Sequence, residues 1–104
     1  MNMIVIPTIP PELLAEAKVW LGYTKNVFDD EIIQTMQACL IDLQNGGVVV
    51  IDLTDPIIKQ ALKLYLKAHF RNDPSAEKFM KSYEFLKYSL ELSSDYNQEV
   101  DAGG

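Results

Sequence analysis

A chain of 104 residues with a formal net charge of −6, 48% hydrophobic and 23% charged, is sized for one globular domain with a single core. The acidic balance argues against sequence-specific nucleic-acid binding, because phosphate contacts need a basic footprint. No apolar run approaches the ~20 residues of a membrane helix. The lone cysteine, Cys39, excludes an intrachain disulfide framework and suits a reducing cytoplasm.

The opening stretch MNMIVIPTIPP is apolar but has no basic n-region, and Pro7, Pro10 and Pro11 cut it short. It reads as an extended N-terminal arm over residues 1–10, not as a signal peptide. The first helix is predicted from about Pro11 to Leu21, with Pro11 in the first turn and Gly22 at the C-terminal cap. Leu13, Leu14, Ala17, Trp20 and Leu21 share one face of it. The second follows Asp29-Asp30, whose carboxylates favour a helix start, and runs to about Gln44, where Asn45-Gly46-Gly47 ends it. Its core stripe is Ile32, Ile33, Met36, Cys39, Leu40 and Leu43, with Ile41 on the opposite side.

Val48 to Leu53, within a connector at about 46–54, is the one β-like stretch. It is either an extended connector or half of a strand pairing completed by another subunit. Asp55-Pro56 and Asp73-Pro74 each combine an N-cap with a first-turn proline. They predict a third helix to about Phe70 and a fourth from Pro74 to about Leu92. Beyond Ser94 the chain turns polar, and with Glu91, Asp95, Glu99 and Asp101 and no cation after Lys87 it predicts a mobile acidic tail over residues 95–104.

The third helix is apolar over roughly 240° of its circumference, which places it at the centre of a bundle or under cover from two sides. The remaining arc carries Lys63, Lys67 and Arg71, a cationic strip that is either an ordinary solvated face or a dock for an acidic segment of a neighbour. On the fourth helix Phe79, Tyr83, Leu86 and Leu90 form a packing seam, while Phe85, Tyr88 and Leu92 form a second apolar cluster opposite. One small core cannot bury both sides. The second cluster is therefore a candidate interface, unless the arm or the connector covers it. Ile41 is a third candidate.

No constellation for catalysis emerges. Cys39 reads as a small buried hydrophobe, and His69, a turn after Tyr65, reads as a core or interface histidine. Gly46-Gly47 lacks the Lys-Ser or Lys-Thr of a phosphate loop, and no clustered ligands suggest a metal. The expectation is no enzyme, no cofactor and no small-molecule substrate.

The stretch from Asp55 to Asn97, with its Asp-Pro helix start, Ala68-His69-Phe70, second proline break, Glu77, Phe79, Ser82-Tyr83, Leu86 and Leu92-Ser93-Ser94-Asp95-Tyr96, resembles the small head-tail connector (head completion or adaptor) proteins of tailed phages and prophages. EAKVWLG and FDDEIIQTMQACLIDL resemble that family's opening helices with less specificity, and the proline-rich arm departs from it. The resemblance implies an all-α adaptor, a helical connector domain over residues 1–94. It implies a ring of copies beneath the portal, templated by it or formed alone, joined to a downstream neck or head-closure protein. The place implied is the virion neck, after synthesis in the host cytoplasm. The alternatives are a small helical partner-binding regulator or antitoxin-like dimer, and a terminase-small-subunit-like DNA binder, which the acidity disfavours.

Overall fold

The computed structural model describes residues 4–70 and 74–98, and over them the chain is all-α. Its helices are α1 (Pro11–Leu21), α2 (Asp29–Asn45), α3 (Pro56–His69), α4 (Ala76–Leu92) and a single turn, α5 (Ser94–Asn97). α1, α2 and α3 lie where periodicity and capping put them.

Local chemistry explains most boundaries. At the end of α1 the Gly22 N–H donates to the Val19 carbonyl at 3.1 Å and the Tyr23 N–H to the Lys18 carbonyl at 2.9 Å. That closure needs a left-handed residue, and Gly22 supplies it at φ 77°. α2 ends the same way, with Gly47 at φ 106° and the Val48 N–H reaching the Leu43 carbonyl at 2.9 Å. This closure turns Val48 into the core, where it and Leu43 are fully buried. Asp55 caps α3 by accepting the Ile57 N–H at 2.8 Å, ahead of Pro56.

α4 departs from expectation. It begins at Ala76 with Ser75 in the cap position, two residues later than the Pro74 start signal. Pro74 and Ser75 form a turn, because a fixed proline φ suits a turn as well as a first helical residue. Asp73 lies outside the described residues.

The core centres on α3, whose Ile58, Ala61, Leu62 and Leu66 are fully buried. It packs against α1, α2 and α4, with the broadest contact to α4. From α2 come Ile32, Met36, Cys39, Leu40 and Leu43, and from α1 Leu13, Ala17 and Leu21. Lys59 of α3 pairs with Glu16 of α1 at 3.0 Å, and Lys18 at the end of α1 with Asp29 at the start of α2 at 3.0 Å.

Two segments outside the helices are tied down by hydrogen bonds, the arm to side chains and the connector to main chain. The arm runs along α2: Gln44 accepts the Val5 N–H at 2.9 Å and donates to the Val5 carbonyl at 2.7 Å, and Gln37 donates to the Pro7 carbonyl at 3.2 Å. The arm's own Ile9 is buried in the core. The connector pairs with no strand among the described residues; its Val49 and Val50 N–H groups donate to the Tyr96 carbonyl at 2.8 and 3.1 Å.

That last contact moves the boundary of the polar tail. Residues 95–97 are helical in α5. The Tyr96 hydroxyl donates to Asp55 Oδ2 at 2.8 Å, and the Asn97 side chain donates to the Glu91 carbonyl at 2.8 Å. Their polar groups serve the connector, α3 and α4, which composition could not reveal; residues 99–104 lie outside the described residues. Truncation after Ser94 should therefore lower Tm by several degrees, on the order of 1 kcal/mol or more, in a thermal melt. Tyr96→Phe should reproduce part of that loss.

Candidate protein-interaction site

α4 divides lengthwise. On its inner side Tyr83 and Leu90 are buried, Leu86 is half-buried against the core, and Phe79 is half-buried under Lys67 of α3. On its outer side Phe85, Tyr88 and Leu92 are 77%, 64% and 70% exposed. Their spacing of i, i+3 and i+7 makes one continuous ridge, and among the described residues neither the arm nor the connector covers it.

The inner side carries a polar tie as well as apolar contact. The Tyr83 hydroxyl donates to Asp42 Oδ2 at 2.6 Å, and Lys87 reaches the same oxygen at 3.1 Å. α4 is thereby held to α2 across α3. Burial, with help from Cys39 and from the bond to Asp42, pushes the Tyr83 phenol well above its ordinary range. Burial also pushes the Cys39 thiol up to about 12. Its sulfur lies 3.9 Å from the Ala61 carbonyl, so it stays protonated and packs as a small hydrophobe.

The other sequence-derived candidates have different surroundings. Ile41 is half-buried and lies between Gln37 and Gln44, the two side chains that hold the arm. Lys67 sits 5.5 Å from the centre of the Phe79 ring, an intramolecular cation–π contact. Lys63 is half-buried beside it on the strip. Arg71 lies outside the described residues.

A groove that no sequence pattern announced lies between α2 and the end of α3. Tyr23, Phe28 and Phe70 cluster at one end of it, with ring centroids 5.3–5.8 Å apart. Tyr65 and His69 line the α3 side, stacked at 4.0 Å. His69 is exposed, its Nδ1 2.9 Å from the Tyr65 carbonyl, so it is not a core residue. The stacking carries it across the top of Tyr65 and out to solvent. On the α2 side stand Glu31, Gln34, Thr35 and Ala38, and the open groove has a volume of about 510 Å³. The signal available beforehand was Tyr23 and Phe28 flanking a short loop, but their meeting with Phe70 is a tertiary fact.

No group of three or more potential metal ligands occurs among the described residues, and no described helix is long and apolar enough to cross a membrane. What the site offers is apolar surface on a rigid frame.

The frame can be tested through pH. A tyrosine whose folded pKa is raised contributes stability below the unfolded value, near 10, and loses it as pH climbs through the folded one. The wild-type protein should therefore lose stability above about pH 10. Tyr83→Phe should lower stability at neutral pH by about 1.5–3 kcal/mol, the worth of a hydrogen bond to a charged acceptor, and flatten the alkaline limb. Chemical denaturation followed across pH 7–11 reads both effects.

A model of the phage connector protein family matches residues 13–97. No curated protein and no solved structure matches the chain. The matched stretch begins inside α1 and ends with α5, so it spans the bundle and omits the arm. With its helices, its inner seam and its outward ridge all inside that match, the chain belongs to the phage connector protein family.

Proposed function

We propose that this protein is a structural adaptor of the phage neck, assembling as a ring beneath the portal and linking the DNA-filled head to the tail or the next neck protein. Its partners are then further copies of itself, the portal, and a downstream neck or head-closure protein. Its place is the virion neck after synthesis in the host cytoplasm. The portal either templates the ring or receives one already formed.

The observation that carries this reading is the exposed ridge Phe85–Tyr88–Leu92. Large aromatic side chains left together in water are a standing cost at roughly 25 cal/mol per Å² of apolar area, and they are enriched where proteins meet. The ridge lies on a helix already fixed from its other side, so docking needs no rearrangement of the bundle. A ring further requires two different patches per subunit in head-to-tail contact, and the bundle carries apolar surface on α4 and again around the α2–α3 groove.

The double variant Phe85→Glu/Tyr88→Glu should fold with stability within about 0.5 kcal/mol of wild type, as exposed substitutions do. It should also lose self-association or co-sedimentation with the cognate portal. Unfolding would place the ridge in the core, and undiminished self-association together with undiminished portal binding would place the interface elsewhere.

A further inference from the structure

The groove and the ridge have matching shape and chemistry, and they sit on different elements of the same chain. On α2 the groove wall runs from Glu31 to Ala38, seven residues or about 10 Å along the axis. On α4 the ridge runs from Phe85 to Leu92, the same seven-residue span. The α2 wall is small-sided at Thr35 and Ala38, where a protruding side chain can enter. The opposite wall is aromatic, the lining that phenyl and phenol rings pack against well.

Charge sets the direction. Glu31 lies at the start of the groove, with exposed Asp30 beside it. Lys81 and Lys78 lie one and two turns before Phe85 on the same face of α4, both exposed. Lys81 pairs with Glu77 at 3.4 Å, and the members of the pair are 75% and 82% exposed. Such a pair is worth little and is easily exchanged. A subunit cannot place its own ridge in its own groove, because the opposite side of α4 is packed on α3.

We infer that the α4 ridge of one copy seats in the α2–α3 groove of a second copy, helix in groove, with Lys81 toward Glu31, Phe85 against Phe28 and Phe70, and Tyr88 beside Tyr65 and His69. This rests on the neck-adaptor reading and specifies its subunit contact. The contact is head-to-tail: each copy that donates its ridge keeps its groove open, so the arrangement extends until rotation closes it.

The test uses the full chain with p-benzoylphenylalanine at position 88, as an equal mixture of ¹⁴N- and ¹⁵N-labelled protein bound to the cognate portal and irradiated. Mixed-isotope products joining residue 88 to the peptides holding Tyr23–Phe28 or Tyr65–Phe70 are expected. Glu31→Lys should cut their yield about tenfold, and adding Lys81→Glu to that variant should restore it. Mixed products joining residue 88 to α4 of the second copy would replace the inference with a two-fold contact. Products with the portal alone, or none between copies, would remove it while leaving the adaptor reading intact. Absence of any portal association by the wild-type protein would instead remove the adaptor reading.

Discussion

The fold depends on covering α3. Its apolar side chains face in nearly every direction, and leaving even one large aliphatic group in water costs about 1.5–3 kcal/mol. Three helices are needed to hide Ile58, Ala61, Leu62 and Leu66. α1 takes one side, α2 the next, and α4 the broadest. The start of α3 organises the far end of the chain too. Asp55 uses one carboxylate oxygen to cap α3 and the other to receive Tyr96, so the residue that begins the central helix also anchors the last one.

The four main helices were legible because their signals are local. An Asp-Pro pair, a glycine at a left-handed closure and an apolar stripe each act within a few residues, and α1, α2 and α3 follow them closely. The division of α4 into two apolar sides was legible for the same reason. The late start of α4 was not, since Asp73-Pro74 and Ser75 are both acceptable beginnings and only the surrounding packing selects between them. α5 was hidden because a single turn has no stability of its own; it exists through Tyr96 and Asn97 bonding to distant partners. The groove was hidden for a related reason. Tyr23, Phe28 and Phe70 come from a loop, a helix entrance and a helix exit, and no sequence period links them.

The tie of Tyr83 and Lys87 to Asp42 has a consequence on the opposite side of α4. A helix held only by aliphatic contact can roll or slide by a fraction of a turn, whereas a 2.6 Å bond to a carboxylate fixes its rotation. Phe85, Tyr88 and Leu92 are thus presented in one orientation. A rigid apolar ridge loses less conformational entropy on docking than a flexible one of equal area.

The circumference of α2 explains why one groove is left bare. At 100° per residue its side chains fall into three sectors. Ile32, Met36, Cys39, Leu40 and Leu43 face the core, and Gln37, Ile41 and Gln44 face the arm. Glu31, Gln34, Thr35 and Ala38 make up the third. The arm is bound through its main chain at Val5 and Pro7, and its stiff Pro10-Pro11 passage into α1 keeps it on the second sector. Nothing in the described chain crosses the third between Glu31 and Ala38; one turn further on, Asp42 of the same sector meets Tyr83 and Lys87 of α4. The sector's short side chains lie beside the tall aromatic wall of α3, and that difference in height is what makes the groove.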